Sequence, residues 1–295
     1  MLRMRSLKSR GQTTYLAFTV PALVIYLVFY AFPVFLGIFY SLTDWNGVTP
    51  NYKFIGLDNY FKVFKDKYFV DAIGFTLKYT VLVTIGIVSI SLLLALALNQ
   101  VKRFRSFVRA VYFFPAVLSL VTVGLIFNEI YYQVIPELGK LLGIEALSKN
   151  ILSNPDTAIY GIVLINLWQG VALPSLLILA GLQSIPAELS EAAILDGANA
   201  VQRFRKITFP FLIPSMNIVI INAVKSGILV YDYIMATTGG GPGHATKSIN
   251  QIIIENAFGG KMAFSYAISQ SVVLFVILAI LSFIQFKIMN RKEVA

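Results

Sequence analysis

Long apolar runs alternate with short polar links along this chain. Six runs reach the ~20 residues that a helix needs to cross hydrocarbon. They are Tyr15–Leu42, Phe75–Leu98, Ala110–Asn128, Ala158–Leu182, Pro214–Thr237 and Tyr266–Met289. Val81–Leu98, Ala158–Leu182 and Tyr266–Phe286 contain no charged residue. Backbone amides in lipid need partners within their own segment, so the runs predict helices. The fold class expected is all-α, a polytopic membrane protein with six transmembrane helices. Pro21, Pro33 and Pro174 predict kinks or helix ends. The longer links are Thr43–Gly74, Glu129–Thr157, with a short interfacial helix expected around Pro136–Leu147, and Thr238–Ser265. The last opens with Gly239-Gly240-Gly241-Pro242-Gly243, a sequence suited to a flexible turn.

The basic residues orient these spans. Four lie at the start (Arg3, Arg5, Lys8, Arg10), four after the second span (Lys102, Arg103, Arg105, Arg109), three after the fourth (Arg203, Arg205, Lys206) and three in the tail (Lys287, Arg291, Lys292). These are 14 of the 24 Lys and Arg, accompanied by only Glu188, Glu191, Asp196 and Glu293, so one face holds the whole net charge of +10. The positive-inside rule makes that face cytoplasmic and puts both termini inside a bacterial plasma membrane. A nucleic-acid surface would not be divided among four short segments separated by spans, so nucleic acid is excluded as a partner. Residues 1–70 then form a cytoplasmic segment, first span and outer loop; 71–287 form the core; 288–295 form a tail.

Composition narrows the chemistry. Hydrophobic residues make up 57% and charged residues 13%, about half the ~25% charge of soluble domains. The mean hydropathy is +0.76. There is no Cys and one His, His244, which removes disulfides, thiolate metal sites and a His-based zinc centre. The first apolar run is too long for a signal-peptide core and lacks a small-residue cleavage site, so an uncleaved span is expected.

A polar loop at 184–213 interrupts the apolar pattern. Pro186 suits a first helical turn, Glu188 suits the positive end of a helix, and Gly197 suits a left-handed stop. Asn199 with Gln202 reads as a capping pair for a second short helix, which Pro210 would end. Ala192, Ala193, Ala198 and Ala200 would allow close approach by another surface.

Within that loop, Glu191-Ala192-Ala193, three residues, Gly197, nine residues and Ile207-Thr208-Phe209-Pro210 resemble the EAA loop of permease subunits of bacterial ATP-driven importers. Phe209 stands where Leu is usual. Gly239–Pro242 with Ala245-Thr246 resembles the turn after the fifth of these spans in sugar-type permeases. Pro33, Ser41-Leu42 and Phe54-Ile55-Gly56-Leu57-Asp58-Asn59-Tyr60 resemble their first span and outer loop. The chain is thus similar to permeases of maltose and oligosaccharide importers, in plan like the larger of the two usual permeases without its extra N-terminal spans. The resemblance implies that Glu191, Ala192, Ala193, Asp196 and Gly197 couple to a separate ATPase. It also implies a second homologous permease, two ATPase subunits that hold ATP and Mg, and an extracytoplasmic solute-binding protein. No cofactor is expected in this chain. Gly241 to Thr246-Lys247-Ser248 nearly matches a phosphate-binding loop, but Thr246 replaces the required Gly.

Two polar stripes are candidate substrate residues. Asn166, Gln169, Gly170 and Leu173 recur at i, i+3, i+4, i+7 and share a helix face; Asn222, Lys225, Ser226 and Leu229 repeat that spacing. Polar groups in a span turn toward a cavity or bond another helix; both readings stay open. The resemblance places cavity-lining positions at Asn166, Gly170, Asn222 and Ser226, while Leu173 and Leu229 depart from its polar pattern. Lys225 would either attract an anionic solute or pair with a carboxylate of the partner permease. Trp168 could stack on a sugar ring or simply pack between helices. An ion- or proton-driven carrier is the alternative, but it calls for intramembrane carboxylates, and the spans offer only Asp232 near an end. A membrane enzyme would need a His, Cys or carboxylate constellation that is missing.

Overall fold

The computed structural model describes residues 17–101, 105–260 and 263–293, with all their side chains except those of 105, 106, 108, 109 and 288–293. The basic clusters at the N-terminus, at Lys102, Arg103, Arg105 and Arg109, and at Arg291 and Lys292 lie outside the described side chains. Among the described residues there is no β-strand; one isolated antiparallel bridge joins Thr43 and Phe54.

The helices are α1 (Ala17–Ser41), α2 (Asp58–Lys65), α3 (Lys67–Gln100), α4 (Arg105–Val117), α5 (Leu120–Leu142), α6 (Ala158–Gly170), α7 (Ala172–Gln183), α8 (Ala187–Leu195), α9 (Ala200–Ile228), α10 (Asp232–Thr237), α11 (Ile249–Phe258) and α12 (Phe264–Glu293). Four helices are long and apolar enough to cross a membrane alone: α1, α3, α9 and α12. The bent pairs α4–α5 and α6–α7 raise the number to six if each is one span.

The chain divides into two compact units. One combines the chain up to Asp66 with Ile253–Val273. Its order comes from buried polar ties at the C-terminal end of α1. The Asn59 side chain donates to the Ser41 and Thr43 carbonyls at 3.0 and 2.8 Å, which the helix end leaves without intrahelical partners. The Thr43 and Ser265 hydroxyls meet at 3.0 Å, and the Tyr266 hydroxyl donates to Asp66 at 2.8 Å.

The other unit holds Lys67–Ile252 and the chain from Leu274. Its spine is α3, against which α9 and α7 pack, while α10 packs on α5. Tyr79, Val83, Ile87, Ile162, Ile165, Ile178, Leu212, Val219 and Ile234 form its core. Gly227 lets α9 reach α3: a Cβ there would stand 2.8 Å from the Thr80 Cα. Without a hydrophobic drive between helices in lipid, such close backbone approach is a main source of association.

Four expectations need correction. The third run, Ala110–Asn128, is not one straight span, because α4 and α5 meet at 102°. Ser119 is extended there, and α5 continues past Glu129 to Leu142, where a separate connection was expected. The kink expected at Pro174, by contrast, is present: the fourth run bends by 46° between α6 and α7, where the proline has no N–H for the Gly170 carbonyl. The fifth run breaks at Leu229–Tyr231, and Asn250 donates to the freed Leu229 carbonyl at 3.0 Å. Pro210 does not end a short helix. A wide π turn at Phe204–Thr208 precedes it, accommodates its missing donor, and lets α9 run from Ala200 to Ile228. Lastly, the glycine-rich turn is tied by hydrogen bonds rather than loose. Thr246, fully buried, donates to the Gly241 carbonyl at 2.6 Å, and Gln251 donates to that of Gly239 at 2.7 Å.

Candidate functional site

The breaks that disrupt the spans also build a cavity. Leaving a helix frees carbonyls, and in an apolar setting each needs a new donor. At the α6–α7 bend the Val171 carbonyl accepts from Ser91 at 3.2 Å and Ser175 at 2.6 Å, and the Ala172 carbonyl accepts from Tyr112 at 2.9 Å. At the α4–α5 bend the Leu118 carbonyl accepts from Gln169 at 2.7 Å. Between these bends and α9 lies a cavity of about 450 Å³, within the range of small-molecule pockets.

Its walls are mostly apolar: Ile87, Ala116, Leu120, Leu173, Pro174, Leu177, Val219 and Ala223. The polar lining is Asn166, Gln169, Asn222, Ser226 and Tyr233, and Gly170 lies beside them. Five of the six residues anticipated from the stripes thus meet in one space. Lys225 does not line it. The α9 face toward the cavity is Val219, Asn222, Ala223 and Ser226; at 3.6 residues per turn Lys225 points roughly 110° away from its centre. Lys225 is exposed on this chain. The i+3 step that drew it into the stripe is a near-neighbour position, not the same direction. Trp168 also stays outside the lining and packs on Phe127, with ring centroids 5.3 Å apart.

The stripes differ in state. Asn166 and Gln169 are buried, at 3% and 5% exposure. Asn166 donates to the Tyr79 hydroxyl at 2.8 Å. Gln169 donates to Leu118 and accepts from the Tyr233 hydroxyl at 2.8 Å, so it ties α4, α6 and α10. Asn222 and Ser226 are exposed on the isolated chain. Sequence reasoning missed Tyr233 and the apolar walls. Tyr233 carried a weak signal, a phenol one residue after Asp232 near the end of an apolar run. Apart from Leu173, which shares the face of the first stripe, the walls carried none, since they come from helices far apart in sequence.

The loop at 184–213 forms a second candidate surface. Helix α8 ends at Leu195, with Asp196 as its cap. Gly197 has φ +78°, its N–H reaches the Ile194 carbonyl at 3.0 Å, and the Ala198 N–H reaches that of Ala193 at 2.9 Å. This paired closure needs a left-handed residue, which glycine adopts without a Cβ clash. Asn199 and Gln202 then exchange side-chain-to-backbone bonds of 2.8 and 2.9 Å and start α9. The outcome is one short helix and the first turn of a long one. Glu191, Ala192, Asp196 and Gly197 are exposed and Ala193 is half-buried. Leu195, 88% exposed, stands at the tip of α8 with no apolar cover in this chain.

Comparison with known proteins assigns this architecture. Residues 87–293 match the family described as binding-protein-dependent transport system inner membrane component. The chain is 41% identical over 277 residues to the multiple sugar-binding transport system permease protein MsmF of Streptococcus mutans, covering 94% of this chain and 95% of that protein. It is 31% identical over 281 residues to the probable starch degradation products transport system permease protein AmyD of Thermoanaerobacterium thermosulfurigenes, covering 95% of each. In fold it resembles a chain of a bacterial ABC transporter involved in the import of the acidic polysaccharide alginate. The TM-score is 0.83 at 22% identity, covering 98% of this chain and 99% of the other. The family match spans most of the chain, the helices are those of a multi-pass inner-membrane protein, and the role is that of a transport component rather than an enzyme: the chain belongs to the binding-protein-dependent transport system inner membrane components.

Proposed function

We propose that this chain is the membrane-spanning permease subunit of an ATP-driven importer for a neutral oligosaccharide, working by alternating access. The observation that carries this reading is the cavity between α6, α7 and α9. Its lining combines three amides, a hydroxyl and a phenol with apolar walls and contains no carboxylate, ammonium or guanidinium. Such a lining suits hydroxyl-rich solutes better than anionic ones, whose burial needs a countercharge. The sugar-linked names of the two relatives agree with a carbohydrate. An anionic solute drawn by Lys225 is disfavoured, because that ammonium lies off the cavity face.

In this reading Asn222 and Ser226, exposed on the lone chain, close the cavity together with a second, homologous permease. Residues 184–213 lie in the cytoplasm, as do both termini. Glu191, Ala192, Ala193, Asp196 and Gly197, with the uncovered Leu195, seat in a groove of one of two ATPase subunits, the helix-in-groove mode of recognition. ATP and Mg²⁺ bind on those subunits. Closure of the ATPases displaces α8, and the rigid turn at Gly197 passes that motion into the 29-residue α9, which lines the cavity. The ATP cycle biases the access equilibrium because its ligands bind the two states unequally.

The test is Gly197→Asp in the full complex. A Cβ at φ +78° strains the turn by about 1 kcal/mol and puts a carboxylate beside Asp196. The expected result is a permease inserted at normal level, with solute-dependent ATP hydrolysis lost by more than about tenfold, or ~1.4 kcal/mol in coupling. Undiminished solute-dependent hydrolysis would remove this turn from the coupling path.

A further inference from the structure

The fifth apolar run carries a carboxylate that neither the packing nor the cavity lining accounts for. Asp232 follows the break at Leu229–Tyr231 and opens α10. It is half-buried. Among the described residues its side chain has neither an ion pair nor a hydrogen bond. An ionised group left without a partner inside an apolar run is expensive, and such groups mark the path of a solute or ion.

The break is held from several sides, so the place of this carboxylate is fixed. Before it, Gly227 seats α9 on α3, where a Cβ would stand 2.9 Å from the Thr80 hydroxyl. At it, Asn250 holds the Leu229 carbonyl at 3.0 Å. After it, the Tyr233 hydroxyl is bonded to Gln169 at 2.8 Å. Ser226 on one side of the break and Tyr233 on the other both line the cavity. Asp232 thus stands at the end of the cavity where α9 stops, far along that helix from the 184–213 loop. The carboxylate is not in the lining, but its charge bears on the Tyr233 hydroxyl. It can therefore act on the contents of the cavity through its field. Apolar walls extend that reach, because they screen charge poorly. No cation of the lining offsets it. Lys225 lies off the cavity face, and Lys67 and Lys247 line a separate concavity that shares no residue with it.

We infer that Asp232 is a specificity-determining residue for transport, a fixed negative charge at the mouth of the cavity that disfavours anionic sugars. The inference rests on the importer reading, in which this end of α9 faces outward and solute passes it on entry. It deepens that reading. An uncharged lining merely fails to compensate an anion for its lost hydration. A carboxylate at the mouth repels the anion outright, and repulsion of the wrong solute sharpens specificity more than added attraction for the right one must. The same field attracts a cationic sugar, so the sign of the solute charge decides the sign of the effect. Two unit charges about 12 Å apart at an effective dielectric constant of about 20 interact strongly enough for roughly tenfold discrimination.

The experiment uses the whole importer in proteoliposomes, with ATP inside and saturating sugar-loaded binding protein outside. The probes are three forms of one oligosaccharide, with a neutral, a carboxylated or an aminated reducing end. Each is first shown to bind the solute-binding protein, and uptake is then measured in pairwise competition. In Asp232→Asn the carboxylated-to-neutral uptake ratio should rise about tenfold, and the aminated-to-neutral ratio should fall by a similar factor. Asp232→Glu keeps the charge and should hold both ratios within about twofold of the parent. Unchanged ratios in an assembled Asp232→Asn complex overturn the inference. So do equal changes in Asp232→Glu, which would mean shape rather than charge, and ratios that shift in the same direction for both charged probes. Failure of Asp232→Asn to assemble overturns it too. The amide has the carboxylate's shape, so the lost charge would then be a structural partner of another subunit. If the unaltered importer takes up none of the three probes with ATP, the importer reading falls and this inference with it.

Discussion

The polar stripes of α6 and α9 carry the same spacing of polar residues, yet the fold treats them differently. On α6, Asn166 and Gln169 are buried and bonded within the chain, to Tyr79, Leu118 and Tyr233. On α9, Asn222 and Ser226 reach the same cavity from a face that is exposed on the chain alone. Periodicity reports which residues share a direction. It does not report what waits there. Gln169 lies beside a helix break that frees a carbonyl, so its amide completes the scaffold. At the break that follows α9 the freed Leu229 carbonyl is taken by Asn250, so the hydrogen-bonding capacity of Asn222 and Ser226 remains available to solute or, in the proposed assembly, to a second permease.

The contrast breaks most readily at Gln169. Gln169→Leu leaves the Leu118 carbonyl and the Tyr233 hydroxyl without this partner. At about 1–2 kcal/mol for each interhelical bond, the loss should reach roughly 2–4 kcal/mol. The fraction of assembled complex and its melting temperature in detergent should both drop, and uptake should fall only in proportion to assembly. A stably assembled Gln169→Leu complex with impaired uptake would move Gln169 from scaffold to solute contact and erase the difference between the stripes.

Asn222→Leu probes the other stripe, with a smaller effect of the opposite kind. No hydrogen bond within the described chain depends on the Asn222 side chain, so melting and assembly should hold. A lost solute hydrogen bond of about 1–2 kcal/mol predicts uptake roughly 5- to 30-fold slower at subsaturating sugar. Basal ATP hydrolysis should stay intact. Loss of assembly with the second permease would instead make Asn222 an interface residue.

Much of this was legible from residue types. Each apolar run is largely helical over its described residues, Pro174 marks a real bend, Gly197 takes the left-handed conformation, and Asn199 and Gln202 form the capping pair. These features are local: each depends on a few neighbours and on backbone sterics. The 102° turn between α4 and α5 was not legible, because Leu118-Ser119 contains no glycine or proline. That turn is stabilised from outside the segment, by the Gln169 amide. The continuation of α9 through Pro210 was hidden for a related reason. A π turn solves the proline locally, and no residue type announces one. At the site, helical spacing located Asn166, Gln169, Gly170, Asn222 and Ser226, while the apolar walls and Tyr233 depend on which helices pack together.

Lys225 is where the two kinds of information collide, and it gives the smallest expected effect on solute handling. Spacing put it with Asn222 and Ser226; the α9 geometry turns it away from the cavity. An ammonium on that face of an apolar helix should be met by protein rather than lipid, because charge in hydrocarbon is expensive. In the proposed assembly the second permease is the available cover. Lys225→Gln should therefore leave the ratio of acidic to neutral sugar uptake within about twofold of the parent, a difference below ~0.5 kcal/mol. Any deficit should appear in how firmly the second permease co-purifies. Competitive uptake of one neutral and one uronate-bearing oligosaccharide by the reconstituted variant measures the ratio directly. A selective loss of the acidic sugar would put Lys225 on the solute path. The α9 face would then have to rotate toward the cavity during transport, and the stripe would have to be redrawn with all three polar residues in it.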